Sequence, residues 1–288
     1  MTQARCFDRG RSRPPTAVAL AFALALCSCA TPGERLDAAA DAAGFTRRVI
    51  QGTEFRHVVY LSDLSAVGRG LQVFIDGDGT PYDDRWTVSA DPTPRRPLML
   101  QLMQLDRTAA AYVGRPCYAG LARDPPCKPL DWTLERYGPR VVASMASVIQ
   151  SIAAEAGAEF VELHGHSGGG TLAVLIAPRL PNVRRVVTLA ANLDTDAWAD
   201  LHGYARLAGS LNPVEMGPLP ATIEQRHYAG EDDRVVPPAL VEAAARRIGS
   251  SRVEVLPGVT HHDGWDSVWP AILAGQTEES RATAQRNE

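Results

Sequence analysis

The sequence predicts an α/β domain: a mainly parallel β-sheet covered by helices on both faces. Short apolar, β-branched runs recur across residues 45–275 and read as strands buried on both sides. Stretches with helical periodicity stand between them, and strands alternating with helices join as parallel crossover units. A third observation is local: FVELHGHSGGGTLAVLIA, residues 160–177, passes from a strand pattern through a glycine-rich turn into a helix pattern. With 288 residues and 45% hydrophobic content, the chain can build one large core or two small ones. A formal net charge of −4 with 22% charged residues argues against a nucleic-acid-binding surface.

Taken in order, residues 1–29 stand apart. Arg5, Arg9, Arg11 and Arg13 form a positive segment before AVALAFALAL, a ten-residue apolar run. A stable transmembrane helix needs about 20 such residues, whereas this length suits the core of a signal peptide. The following Leu26-Cys27-Ser28-Cys29 resembles the lipobox of bacterial lipoproteins, with Cys29 as lipid acceptor. Cys27 fits less well, since Leu26 would occupy the small position before it. Ordinary signal-peptide cleavage or an uncleaved anchor is the alternative, and export is common to all three.

Residues 30–44 are polar and Ala-rich, suiting a tether or a short helix. Strands are expected at 57–61, 71–75, 109–113, 160–164, 185–189, 225–228 and 252–256. Helices are expected at 96–104, 136–156, 169–180 and 238–248. The helix at 136–156 is strongly periodic and stops at Gly157. Cys117 and Cys127, ten residues apart in a Pro-rich loop, are expected to pair in an oxidising compartment. A metal site is the weaker reading of that pair, because no His lies near it. The tail at 276–288 is polar and reads as frayed.

Three chemistries could use the glycine cluster at 165–170. A P-loop requires a Lys that is absent, and the dinucleotide fingerprint GxGxxG would need glycine where Ser167 stands. GHSGG matches GxSxG instead, between a strand and a helix pattern. Such a turn crowds the backbone, raises the serine above the sheet edge, and leaves the Gly168 N–H at a helix start. Serine is a weak nucleophile without a base. AGEDDRVVPP and PGVTHHDGW follow later strands and supply an acid and a His in that order. Asp233 lies 233 − 167 = 66 residues after the serine, and His261 another 261 − 233 = 28.

GHSGG, GEDDRVVP and PGVTHHDGW together resemble the α/β-hydrolase fold family. DGDGTPY, DPTPRRPLML, RPCY, SLNP and RVVPP are similar to motifs of exported α/β-hydrolase lipoproteins of Gram-negative bacteria. The resemblance spans residues 45–275 and implies a serine esterase with Ser167, Asp233 and His261 as its triad, in the cell envelope. Asp232 and His262 remain alternatives for the acid and the base. Gly168 and the backbone N–H of Asp78 are the implied oxyanion donors, with Gly79 the alternative to Asp78. The match at 76–79 is partial, since many members have His-Gly there. Residues 192–219 are expected to form a short cap containing Trp198, Tyr204 and Leu207.

The expected partners are a small acyl substrate and a membrane reached through the lipid anchor, with no nucleic acid; oligomeric state is left open. Thioesters and amides stand beside esters as substrates, and a non-catalytic binding lipoprotein is the rival. The other histidines (His57, His164, His166, His202, His227) show no HExxH spacing, so neither a metal nor a cofactor is expected.

Overall fold

The computed structural model describes residues 30–66, 70–250 and 252–286, with backbone alone for 66 and 276–286. The expected leader and lipidation site, Cys29 included, lie outside the described residues. Strands run as β1 (Thr46–Gln51), β2 (Arg56–Leu61), β3 (Gly70–Ile75), β4 (Ala110–Val113), β5 (Phe160–His166), β6 (Val183–Leu189), β7 (Glu224–Gly230) and β8 (Val253–Leu256). They form an eight-stranded sheet in the order β1-β2-β4-β3-β5-β6-β7-β8. β2 is antiparallel to β1 and to β4, and every other neighbouring pair is parallel.

β1 is the strand that the apolar runs do not reveal. TRRVIQ carries two arginines and lies at the sheet edge, mostly exposed, where only one side needs a partner. Its pairing with β2, Thr46 opposite Leu61 and Gln51 opposite Arg56, makes it a strand.

The helices are α1 (Pro32–Ala42), α2 (Leu98–Met103), α3 (Pro139–Glu155), α4 (Gly168–Ile176), α5 (Thr195–His202), α6 (Pro238–Arg247) and α7 (Trp265–Arg286). Strand alternation sorts side chains into two apolar layers. Val59, Leu61, Val73 and Ile75 pack with α3, α4 and α6 on one face. Val58, Tyr60 and Phe74 pack with α1, α2 and α7 on the other, against Leu36, Met99, Trp265 and Trp269. Each such side chain removed from water is worth roughly 1.5–3 kcal/mol.

Several boundaries shift for local reasons. Gly138 and Pro139 set the start of α3, so Arg136 and Tyr137 lie before it and turn toward the sheet edge. α4 is buried all round, and its α-form gives way to a 3-10 turn at Ala177–Arg179, which contains Pro178. Of the two expectations for residues 30–44, the structure has the short helix, α1, with Leu36 and Ala40 buried. α7 continues as helix to Arg286, through the polar stretch expected to fray. Cys117 and Cys127 form the expected disulfide, with Cα atoms 5.7 Å apart.

Candidate active site

Ser167 sits between β5 and α4 with φ 51° and ψ −123°, a conformation that costs a non-glycine residue about 1–3 kcal/mol. The glycines around it make this turn possible. A Cβ at Gly169 would strike the Ile75 carbonyl, and one at Gly165 would strike Gly169 itself. A Cβ at Gly168 would strike the Asp78 carboxylate and the Tyr137 hydroxyl. As the first residue of α4, Gly168 has an N–H with no acceptor inside its helix.

β7 and β8 deliver the next two groups at the same carboxyl edge, where open α/β sheets place their sites. His261 Nε2 lies 3.1 Å from Ser167 Oγ, and its Nδ1 lies 2.8 Å from Asp233 Oδ2. A carboxylate only accepts, so Nδ1 carries the hydrogen and Nε2 keeps the lone pair facing the serine. Asp233 is itself held: its Oδ1 accepts from the N–H groups of Val235 and Val236, each at 2.8 Å. Of the adjacent residues left open by the sequence, Asp232 and His262 are exposed, while Asp233 and His261 are buried and meet Ser167.

Asp78 stands on the other side of the serine, on the loop after β3. Its carboxylate receives the guanidinium of Arg115, that of Arg136 at 2.8 Å, and the Tyr137 hydroxyl at 2.7 and 2.8 Å. Burial would push this carboxyl up, but Arg136 and Arg115 outweigh it and hold it well below the usual range. Arg115 also donates to the Arg136 carbonyl at 2.8 Å, and the Tyr118 hydroxyl donates to the Asp78 carbonyl at 2.8 Å. The neighbouring Asp76 is pushed up to about 7 by burial, opposed by contacts from the Met99 N–H and the Tyr112 hydroxyl. The two acids of this loop thus put little net negative charge beside Ser167. One is matched by cations, and the other, with a pKa of about 7, is half protonated at pH 7.

Arg115, Tyr118, Arg136 and Tyr137 are the site residues that motif reading does not single out. RPCY (115–118) stood among the resembling motifs without a role, and Arg136 and Tyr137 read as the start of a helix. The disulfide closes on Cys117, between Arg115 and Tyr118, so it clamps the strand-end loop that supplies both.

Ser167, His261, Asp76, Asp78 and Arg136 line a cavity of about 440 Å³, together with Arg95, Arg96, Trp198, Val235, His166 and His262. In the 192–219 segment, Asp194 caps α5 by accepting from the Ala197 N–H at 3.1 Å. Trp198 is fixed by its indole N–H, which donates to the Val235 carbonyl at 2.7 Å, while Leu207 is buried and Tyr204 exposed. His166 is buried, with Nε2 2.7 Å from the His261 carbonyl. Burial, then the nearby His261, lowers its pKa to about 3.

No family model and no curated protein matches the sequence. Solved structures do resemble it. Est1E from Butyrivibrio proteoclasticus superposes with a TM-score of 0.55 at 15% identity, covering 82% of this chain and 99% of that one. An esterase from Pyrococcus furiosus gives 0.55 at 10% identity, over 83% of this chain and 91% of that one. A Xanthomonas campestris protein described as an α/β serine hydrolase without lid gives 0.52 at 12%, over 81% and 94%. The chain has the α/β-hydrolase fold. Within that fold, Ser167 stands at the β5–α4 turn, and Asp233 and His261 on the loops after β7 and β8. The antiparallel β1–β2 pair forms the far edge of the sheet from β8.

Proposed function

We propose that the protein is a serine hydrolase acting on carboxylic esters, with Ser167, His261 and Asp233 as a catalytic triad. The observation that carries this is the hydrogen-bonded row from Ser167 Oγ to His261 Nε2 (3.1 Å) and from His261 Nδ1 to Asp233 Oδ2 (2.8 Å). Ser167 Oγ attacks the ester carbonyl as its proton passes to His261 Nε2. The tetrahedral oxyanion is held by the N–H groups of Gly168 and Asp78, where one such donor is worth about 10²–10³ in rate. His261 returns the proton to the leaving alkoxide, and a water activated by the same imidazole releases the acyl group. Asp233 accepts the Nδ1 hydrogen throughout and stabilises the imidazolium. Asp78 serves through its backbone, because its carboxylate is neutralised by Arg115 and Arg136.

A cavity of about 440 Å³, with Trp198 and Val235 on one wall and Arg95 and Arg96 on the rim, favours a short acyl group over a long chain. The leader at 1–29 supports export, with lipid on Cys29 anchoring the enzyme to a membrane of the cell envelope. A lipidated peptide beginning at Cys29 is expected by mass spectrometry, and an unmodified mature N-terminus there refutes the anchor.

The enzyme itself is tested with a fluorophosphonate probe, which is expected to label the wild type and not Ser167→Ala. Folded protein that takes no Ser167-dependent label would sink the hydrolase reading and favour a binding role for the same fold. A p-nitrophenyl ester series should then show kcat/KM falling as the acyl chain lengthens.

A further inference from the structure

His166, from the end of β5, converges with His261 and His262, from the loop after β8. Each offers one ring nitrogen, and these lie within 4.8 Å of one another. The hydrogen bonds of the two buried rings fix their tautomers. The His261 carbonyl can only accept, so His166 donates to it through Nε2–H at 2.7 Å, leaving a lone pair on Nδ1. That Nδ1 faces the serine side of the site: a Cβ added at Gly77 would lie 3.5 Å from it and 3.3 Å from Ser167 Cβ. His261 donates through Nδ1–H to Asp233 at 2.8 Å and so presents Nε2. A carbonyl or carboxylate behind the ring is the arrangement by which metal-binding imidazoles are oriented.

We propose that His166, His261 and His262 form a binding site for a divalent transition-metal ion such as Zn²⁺, whose occupancy blocks the active site. The blocking rests on the hydrolase reading above; the binding does not. Imidazole–zinc bonds of about 2.0–2.1 Å place nitrogens on one tetrahedral ion roughly 3.4 Å apart. The exposed His262 side chain is free to close the remaining gap. Ser167 Oγ, 3.1 Å from His261 Nε2, or a water supplies a fourth ligand. The ion takes the lone pair with which His261 accepts the serine proton, so the metal-bound form has no base. A set of imidazoles suits Zn²⁺, Cu²⁺ or Co²⁺ and not Mg²⁺ or Ca²⁺. Both Asp233 oxygens are already engaged, and the nearby Arg96 is paired with Asp263 at 3.3 Å.

The test is a Co²⁺ titration of the intact protein followed by visible absorption, with Zn²⁺ as competitor. One Co²⁺ per chain with intense tetrahedral bands is expected, displaced by Zn²⁺. Affinity is expected to fall about tenfold or more in His262→Ala, whose exposed side chain can be removed without opening the core. Zn²⁺ should stop p-nitrophenyl acetate hydrolysis, EDTA should restore it, and the Zn²⁺ concentration that halves the rate of His262→Ala, measured against that variant's own metal-free rate, should rise about tenfold or more. An absence of bands at millimolar Co²⁺, an affinity unchanged in His262→Ala, or binding that leaves hydrolysis untouched each overturns the proposal. Should the protein hydrolyse no ester at all, the function reading fails and the Co²⁺ spectrum still decides the metal site.

Discussion

Two carboxylates flank Ser167, and the fold treats them in opposite ways. Asp233 has one oxygen tied to two backbone N–H groups and the other directed at His261. Asp78 is saturated by Arg115, Arg136 and Tyr137. The first arrangement leaves one oxygen for a partner whose charge can change. The second builds a fixed cluster of charge in which both oxygens of the carboxylate are taken. The difference teaches that burial of an acid near a nucleophile does not by itself assign it a chemical role. What surrounds it does.

That contrast is broken most sharply by substituting each side in turn. Asp233→Asn should lower kcat by about 10⁴, since the imidazole loses its tautomer and its counter-charge, with a nearly unchanged unfolding midpoint. Arg115→Met should do the reverse in emphasis. Arg115 is 2% exposed, and leaving Asp78 half-paired should cost about 3–5 kcal/mol in urea denaturation. If Asp233→Asn destabilises the fold more than Arg115→Met does, the division into a chemical and a structural carboxylate is wrong.

Acid sharpens the same contrast at smaller scale. His57, in β2, donates through Nδ1 to the Gly114 carbonyl at 2.9 Å, directly beside Arg115. Burial, opposed by that hydrogen bond, lowers its pKa to about 4. A histidine whose folded value is depressed contributes stability above its unfolded value near 6.5 and loses it as pH falls through the folded value. Between pH 6.5 and 4 the protein should therefore lose about 3 kcal/mol through His57. His57→Gln should show a correspondingly shallower pH dependence in urea melts at pH 7 and 4.5. Asp78, held low, keeps its charge across this window, so the cluster around it does not account for the loss. Equal pH slopes in the two proteins would remove His57 from the explanation.

Much of the fold was legible because its signals are local. β2 to β6 announce themselves as short, mainly apolar runs, as strands buried on both faces require. β7, by contrast, is largely polar in sequence, and β8 lies mostly exposed at the sheet edge opposite β1. The β5–α4 turn is legible because close backbone approach admits only glycine at 165 and 169. β1 was invisible because an exposed edge strand needs no such run, and its pairing with β2 defines it. The helix at 139–155 starts later than its periodicity suggests, because Pro139 sets its first turn.

The same division holds within the candidate site. Chain order alone put an acid and a histidine after the serine, each behind its own strand. The family resemblance already favoured Asp233 over Asp232 and His261 over His262, and the structure adds that the loops turn the first of each pair inward and leave the second exposed. The cationic cluster around Asp78 draws on residues 78, 115, 136 and 137, and the three-imidazole cluster on 166, 261 and 262. Neither spacing repeats a motif, because the sheet edge brings these residues together in space. The sequence by itself determined most of the buried elements and where a nucleophile can stand. Only tertiary structure decided which charges meet, because Coulomb and hydrogen-bond partners act over a few ångströms and are indifferent to separation along the chain.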